Sequence, residues 1–295
     1  MASQDEHQDA EDLLAALTLI AERAGKEILA YYVAAGEGEG PEVREKADST
    51  PVTEADEAAE AFILEALAKL TPEIPVVSEE AASAGHLPDV SGGRFWLVDP
   101  LDGTREFLSR NGEFTVNIAL VEDGRPVAGV VHAPALAMTW SGAQAGVGAG
   151  AVKGGAAGGP AVAQYSETDK ETMAIRVREI PGDGATVVAS RRHGSGDMLD
   201  DFLKDYAVKD LVSAGSSLKF CLVASGRADL YPRFGRTMEW DTAAGHAVLL
   251  AAGGSVETVA GGDVATTPGT PLAYGKPGFE NPFFVAKGAP GGAAA

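Results

Sequence analysis

One stretch decides the fold of this chain: Phe95-Trp96-Leu97-Val98-Asp99-Pro100-Leu101-Asp102-Gly103-Thr104. Its apolar half predicts a buried strand ending at Asp99, because Pro100 has no N–H with which to continue a ladder. Asp102 follows, and Gly103-Thr104 begins a helix. Two carboxylates and the Leu101 carbonyl are therefore expected around one point, beside the free N–H groups of a helix N-terminus. Hard oxygen ligands next to an anion cradle are what Mg²⁺-assisted phosphoryl chemistry requires.

A simpler interpretation is that Asp99 and Asp102 only cap a turn and a helix. Two further acidic segments weigh against it. Glu79 follows a β run in Val77-Ser78-Glu79-Glu80, and Asp241 begins an apolar helix in Trp240-Asp241-Thr242. Asp241 taken alone is equally typical of a helix N-cap. Carboxylates that converge from distant segments repel one another unless a cation joins them, so the set indicates a metal site.

The N-terminal half combines helices with a β meander. Apolar residues spaced by three or four predict an amphipathic helix over 13–31. A loop is expected at 36–45, and a capping box at 53–56 begins a second helix that extends to Leu70. Alternating apolar residues predict a short strand at 74–77 and a meander over 114–140.

The C-terminal half alternates between strands and helices. Strands are predicted at 186–190 and 229–231, and helices at 197–206, 218–225 and 241–252. Helices, then a meander, then alternating elements indicate layers of mixed sheets and helices rather than a doubly wound parallel sheet.

Domain boundaries are expected in a glycine- and alanine-rich stretch. Residues 142–159 cannot supply a packed core, and they predict a mobile surface excursion around a hairpin. The N-terminal half (1–150) then carries Glu79 and the 99–104 element. The C-terminal half (160–285) carries Asp241 and the substrate pocket, and 286–295 is expected to be a disordered tail.

Composition narrows the functional class. The chain has 295 residues, with 23 Lys and Arg against 43 Asp and Glu, for a formal charge of −20. Such acidity disfavours nucleic acid polymers and anionic membrane surfaces as partners. There is neither a signal-peptide pattern at the N-terminus nor an apolar run of about 18 residues. With one cysteine, Cys221, the chain is expected to work in the cytoplasm, and association with the inner membrane face stays open.

The acidic elements resemble the two signatures of the inositol-monophosphatase-like metal-dependent phosphatases. The resemblance covers residues 13–284, and within that superfamily it is strongest to the bacterial 3′(2′),5′-bisphosphate nucleotidases. The stretches that carry the latter likeness are 48–56, 110–120, 215–223 and 231–235. The resemblance implies a layered αβαβα fold, which belongs among the α+β and α/β sandwiches.

The resemblance also implies a role for each acidic residue. Glu79, Asp99 and the Leu101 carbonyl would hold a first Mg²⁺, and Asp99, Asp102 and Asp241 a second, with Asp99 bridging. A third, weaker Mg²⁺ would rest on Glu79 through waters. Thr104 and Asp56, together with Glu79, would activate the attacking water. The implied substrate contacts are Leu101, Asp102, Gly103, Thr104, Ser216, Ser217, Lys219, Arg233 and Asp241.

Substrate choice is expected to depend on Arg233. In the inositol branch an acid stands at this place and binds sugar hydroxyls, whereas a guanidinium favours a second phosphate. The alternative for Arg233 is a surface ion pair. Ser216, Ser217 and Lys219 would meet the adenosine or its other phosphate, the alternative being plain helix capping with an exposed lysine. Cys221 and His246 are expected in the core.

The implied reaction is hydrolysis of adenosine 3′,5′-bisphosphate to AMP and phosphate, with its sulfated analogue as a second substrate. In family terms this removes a by-product of sulfate assimilation and is inhibited by lithium. Two rivals stay open: an inositol or sugar monophosphatase, and a nucleotide-binding sensor without turnover. The partner is expected to be a small nucleotide bisphosphate, and the protein either a monomer or a homodimer.

Overall fold

The computed structural model describes residues 4–34, 43–45, 51–145, 147–148, 161–168, 170–190, 196–262, 264 and 266–289. Two β-sheets alternate with helices in five layers. The N-terminal helices cover one face of a seven-stranded sheet, two further helices separate it from a five-stranded sheet, and a short helix lies beyond. The αβαβα arrangement is thus confirmed. None of the described helices is both long and apolar enough to span a membrane.

The outer layer consists of α1 (Gln4–Ala34) and α2 (Glu54–Leu70). Leu13, Leu17 and Ile28 lie on the buried stripe of α1, as the periodicity predicts. The capping box is present before α2. Strands β1 (Val43–Glu45) and β2 (Pro51–Thr53) form a small antiparallel hairpin, part of it where a loop is predicted. The rest of that loop lies outside the described residues.

The first sheet holds its strands in chain order, and the pairs from β4 onward are antiparallel. Its members are β3 (Val76–Ser78), β4 (Arg94–Asp102), β5 (Thr115–Glu122), β6 (Arg125–Ala133), β7 (Met138–Ala143), β8 (Val162–Glu167) and β9 (Met173–Ala174). The short helices α3 (Glu79–Ser83) and α4 (Thr104–Leu108) follow β3 and β4. The meander is confirmed, and β8 pairs with β7, so the glycine- and alanine-rich stretch lies between the two strands of a hairpin; residues 149–160 lie outside the described residues.

The second sheet has the order β11-β10-β12-β14-β13. Its elements in chain order are β10 (Ala185–Ala189), α5 (Asp197–Leu203), β11 (Val208–Ser213), α6 (Leu218–Ala224), β12 (Leu230–Arg233), α7 (Ala243–Ala251), β13 (Ser255–Thr258) and β14 (Phe284–Lys287). The predicted tail starts too early, since Ala286 and Lys287 belong to β14; residues 290–295 lie outside the description. Sequence patterns miss β11, β13 and β14.

Helix α7 lies close against both of its neighbours because glycines leave room for it. A Cβ at Gly129 of β6 would lie 2.8 Å from the Ala244 carbonyl oxygen, and one at Gly245 would lie 2.6 Å from the Phe220 side chain. The central helices therefore hold the two sheets at a short separation. The loops at the ends of β3, β4, β10 and β12 meet at one side of this layer, where the acidic residues lie.

Candidate active site

A β-bulge shapes the acidic element of β4. The strand does not end at Asp99, as predicted from the missing N–H of Pro100, but continues to Asp102. Asp99 pairs with Asn117 and Asp102 with Thr115, so three steps on β4 match two on β5. Pro100 occupies the bulge, where no ladder donor is needed. The irregularity brings both carboxylates to the same end of the sheet.

Parallel pairing places Glu79 beside Asp99. Ser78 at the end of β3 lies opposite Val98, so Glu79 and Asp99, the residues that follow them, lie next to each other at the same edge of the sheet. Asp99 is 1% exposed; its Oδ1 accepts the Leu101 N–H at 3.0 Å, and its Oδ2 is buried without a hydrogen-bond partner in the described chain. Burial, then the carboxylates of Glu79, Asp102 and Asp241, raise the pKa of Asp99 well above its ordinary value.

Asp241 comes from the turn before α7. Its Oδ2 accepts the Met238 N–H at 2.9 Å, and the N-cap of α7 is Thr242, so the helix-cap interpretation of Asp241 is wrong. Burial, followed by repulsion from Asp102 and Glu79, raises the pKa of Asp241 to about 8. The chain therefore holds the Asp241 carboxylate at the site even though nearby donors and positive charge do not offset its burial and the repulsion from the other carboxylates.

The donor set fits a divalent cation. In the described part of the chain no three carboxylates yet surround one point at coordination distance. The carboxylates are close enough, however, for their repulsion to add to burial in raising the pKa of Asp99 and Asp241. The buried Oδ2 of Asp99, which lacks a donor, is the atom that most needs a cation. All of the donors are hard oxygens, the ligands that Mg²⁺ prefers.

Thr104 and Asp56 meet as the sequence predicts. Thr104 Oγ1 lies 3.4 Å from Asp56 Oδ1 and 3.5 Å from the Leu101 carbonyl oxygen. The other carboxylate oxygen of Asp56 accepts both the N–H (2.8 Å) and the hydroxyl (2.6 Å) of Thr53. The capping box of α2 therefore fixes the group that faces Thr104. Gly103 has a φ of 94°, in the left-handed region that favours glycine, and lies directly before α4.

Two adjoining cavities of about 180 Å³ each open at this edge. The shallower one is lined by the acidic residues and Thr104. The other, which we call the cationic cavity, shares Asp102, Gly103, Arg105, Glu106 and Asp241 with it and adds the two cations Lys219 and Arg233. Its lining also includes residues that sequence patterns miss, namely Ser190, Tyr231 and Thr237. A small anion can therefore contact the acidic site and two cations at once.

Lys219 is buried, so its interpretation as an exposed lysine at a helix start is wrong. Only 5% of it is exposed. Its Nζ donates to the carbonyl oxygens of Ala214 (3.3 Å) and Ser216 and lies 5.4 Å from the Tyr231 ring centroid. Burial lowers the pKa of Lys219 to about 8, and Asp102 is the main opposing influence. A buried ammonium facing a cavity favours an anionic ligand.

Arg233 forms no salt bridge with another described residue, which disagrees with its alternative as a surface ion pair. Its Nη2 donates to the Arg236 carbonyl oxygen at 2.9 Å, and its Nε is buried without a hydrogen-bond partner. The guanidinium lines the cationic cavity. It therefore has free donors for a ligand.

The two serines bind protein groups at the site. Ser216 Oγ lies 2.6 Å from Asp102 Oδ2, and Ser217 Oγ donates to the Asp241 carbonyl oxygen at 2.8 Å. No side-chain cap bond is present at the N-terminus of α6, so the plain capping alternative is wrong. Ser216 instead joins the C-terminal half to Asp102, and Ser217 joins the start of α6 to the turn before α7.

Sequence patterns missed a polar pair on β5. Thr115 and Asn117 are buried, and Asn117 Nδ2 lies 3.4 Å from Asp102 Oδ2. The sequence does contain a signal for this pair. Residues i and i+2 of a strand share a face, and two polar residues at that spacing stand out in an otherwise apolar strand. Cys221 and His246 are buried in the core as predicted, with His246 Nδ1 2.9 Å from the Tyr274 hydroxyl.

Comparison with known proteins identifies the family. The model of the inositol monophosphatase family matches residues 9–284. The chain belongs to the inositol monophosphatase family. It is 46% identical to the 3′(2′),5′-bisphosphate nucleotidase CysQ of Salmonella typhimurium, over 79% of this chain and 85% of that protein. The corresponding enzyme of Escherichia coli strain K12 is 44% identical with the same coverage.

Solved structures agree with this assignment. CysQ from Bacteroides thetaiotaomicron, described as a bacterial member of the inositol monophosphatase family, has a TM-score of 0.70 and 36% identity. The match covers 94% of this chain and 97% of that one. Inositol monophosphatase from Anabaena shares the fold, with a TM-score of 0.65 over 95% of this chain and 91% of that one at 24% identity. The resemblance inferred from the sequence is confirmed, as is the fold.

Proposed function

We propose that this chain is a Mg²⁺-dependent phosphatase that converts adenosine 3′,5′-bisphosphate to AMP and phosphate. The observation that carries the proposal is the cationic cavity beside the acidic site. An enzyme for a monophosphate of a neutral polyol needs one anion site, whereas this one offers the acidic site and, next to it, Lys219 and Arg233. The names of the curated CysQ relatives support the same substrate class.

Different groups of the chain would bind the two phosphates of the substrate. The 3′-phosphate would lie against Glu79, Asp99, Asp102 and Asp241, with the N–H groups of Gly103 and Thr104 beside it. The 5′-phosphate would lie in the cationic cavity, where charge-assisted hydrogen bonds from Arg233 and Lys219 hold it. This orientation makes the 3′-ester the one that is cleaved.

Thr104 and Asp56 would orient the attacking water. Because Thr104 donates its hydroxyl proton toward Asp56, its oxygen lone pairs are free to accept a hydrogen bond from a water. Asp56, held in turn by Thr53, is the final acceptor of that chain. When bound, Mg²⁺ would lower the pKa of the water and stabilise the charge that develops on the phosphoryl oxygens.

The sulfated analogue is proposed as a second substrate because it carries the same 3′-phosphate. Its larger 5′-group would still present an anion to Arg233 and Lys219. We propose that the enzyme acts in the cytoplasm, where it would clear a by-product of sulfate assimilation.

The expected products give a direct test of the orientation. Purified protein with Mg²⁺ should release phosphate from adenosine 3′,5′-bisphosphate and leave 5′-AMP, identified by chromatography against standards of both monophosphates; chelation of the metal should stop the reaction. Formation of 3′-AMP would reverse the proposed orientation. Absence of phosphate release, with or without Mg²⁺, would favour a sensor that binds the nucleotide without turnover.

A further inference from the structure

Asp241 lies in a turn, residues 237–242, that one later segment of the chain holds in place. We call this later segment, residues 275–281, the anchor segment. The N–H of Asn281 donates to the Thr237 carbonyl oxygen at 2.9 Å. The turn and the anchor segment therefore run side by side directly before α7.

The anchor segment binds both polar groups of the peptide between Met238 and Glu239. The Glu239 N–H donates to the Phe279 carbonyl oxygen at 2.8 Å. The Met238 carbonyl oxygen accepts Asn281 Nδ2, also at 2.8 Å. Met238 in turn donates its own N–H to Asp241 Oδ2 at 2.9 Å. The position of this peptide therefore controls the direction of the Asp241 carboxylate.

The Glu239 side chain provides the strongest link between the turn and the anchor segment. It is fully buried, and its two oxygens accept the Gly275 N–H at 2.6 Å and the Lys276 N–H at 3.0 Å. The Lys276 ammonium lies 2.7 Å from the same carboxylate. Among the described residues that line the two cavities, neither Glu239 nor Lys276 is present. The carboxylate is thus bonded to protein groups and does not face the site.

The anchor segment is held in a conformation that it would not favour alone. Phe279 has a φ of 54°, in the left-handed region that residues other than glycine seldom occupy. Such a conformation persists only where surrounding contacts determine it. Here the contacts come from the turn, because Phe279 accepts the Glu239 N–H and its ring centroid lies 6.2 Å from that of Trp240.

We propose that Glu239 is a positioning residue for the metal ligand Asp241. Its carboxylate fixes the anchor segment, which fixes the peptide before Glu239, so that the Met238 N–H holds Oδ2 of Asp241. Oδ1 of Asp241 then faces the cation. This inference rests on the proposed function, because it requires Asp241 to be a ligand of a bound cation.

Glu239→Gln is the informative variant. Glutamine keeps the shape, but its side-chain nitrogen cannot accept an N–H, so one of the two bonds to the anchor segment is lost. Binding of Mn²⁺ in place of Mg²⁺ is measured by electron paramagnetic resonance without substrate. The affinity should fall about tenfold, the lower end of the range for groups that support a metal ligand.

A double-mutant cycle tests whether Glu239 acts through Asp241. In an Asp241→Ala background the remaining acidic residues bind Mn²⁺ more weakly, and there is no Asp241 carboxylate to position. Adding Glu239→Gln to that background should therefore change the Mn²⁺ affinity less than about twofold, because two changes that act through one group do not add.

Asp229→Asn is the matched control for lost stability. The Asp229 side chain is also fully buried, accepts a backbone N–H (Thr186, 2.7 Å) and pairs with a cation (Arg178, 2.8 Å). It lies directly before β12 and is absent from the described linings of both cavities. Both variants should lower the melting temperature, and Asp229→Asn should keep wild-type Mn²⁺ affinity.

If Glu239→Gln does not fold, Asn281→Leu tests the same connection. It leaves the Glu239 carboxylate in place, removes the donor to the Met238 carbonyl oxygen, and should likewise weaken Mn²⁺ binding.

Mn²⁺ affinity within twofold of wild type in the folded Glu239→Gln variant would overturn the inference. An equal loss of affinity in Asp229→Asn, or an undiminished effect of Glu239→Gln in the Asp241→Ala background, would overturn it as well. The proposed function fails separately. A wild-type protein that binds Mn²⁺ but hydrolyses no nucleotide would contradict the reaction and leave the role of Glu239 standing.

Discussion

Asn in place of Asp99 is expected to lower kcat by about 10³-fold or more without unfolding the protein, a loss typical of removing a main electrostatic group. Asp99 is the acid on which the other three converge, and its Oδ2 has no hydrogen-bond donor among the described residues. Asn keeps the shape and can still accept the Leu101 N–H. Steady-state rates on adenosine 3′,5′-bisphosphate measure the loss. Asp89→Asn, on an exposed carboxylate, is the control and should keep wild-type activity.

Stability measurements on the same variant separate electrostatics from folding. The pKa values of Asp99 and Asp241 are raised in the folded state, so the folded chain binds more protons than the unfolded chain. Their contribution to the free energy of unfolding is present at low pH and is lost as the pH rises from about 4 towards 8, the value for Asp241. Metal-free Asp99→Asn should lose less stability over that range than the wild type. Near-wild-type turnover, or a steeper pH dependence, would contradict the metal assignment.

Arg233→Met should reduce kcat/KM for adenosine 3′,5′-bisphosphate by about 10²-fold, because a charge-assisted contact to the second phosphate is lost. Methionine removes the charge but keeps much of the apolar volume. The comparison substrate is 3′-AMP, which has the cleaved phosphate but lacks the second one. Its kcat/KM should fall much less, since only the bisphosphate can use Arg233.

The control is Arg236→Met, three residues away in the loop that follows β12. Arg236 is exposed and lies 3.4 Å from Glu280, so its loss should leave both substrates nearly unaffected. Equal losses on the bisphosphate and on 3′-AMP would show that Arg233 supports the acidic site in general. The cationic cavity would then not be the second phosphate subsite.

The acidic site can be predicted from the sequence more fully than the cationic cavity beside it. Glu79 follows β3 and Asp99 lies in β4, and the parallel pairing of these strands is enough to bring the two residues together; the motif spacing fixes Asp102. The environment of Lys219 is different, because its burial depends on packing between the two sheets. The contact of Ser216 with Asp102 joins residues 114 positions apart, and no local pattern indicates it.

The glycine- and alanine-rich residues 142–159 are expected around a hairpin, and the strands on either side do pair with each other as β7 and β8. The composition of the segment does not indicate, however, that β8 extends the first sheet. Local composition describes how a segment behaves alone and not which strand it joins. Strands β13 and β14, which the sequence patterns miss, pair with each other, and β14 also pairs with β12. Neither strand has a strong alternation of apolar and polar residues that would indicate it.

The central claim is that the acidic site and the cationic cavity together select a nucleotide bisphosphate. The most direct test compares kcat/KM for adenosine 3′,5′-bisphosphate and for inositol 1-phosphate, side by side, with Mg²⁺ and after its removal. We predict Mg²⁺-dependent turnover that favours the bisphosphate by at least about 10²-fold, the contribution expected of the second phosphate. Faster turnover of inositol 1-phosphate would contradict the claim.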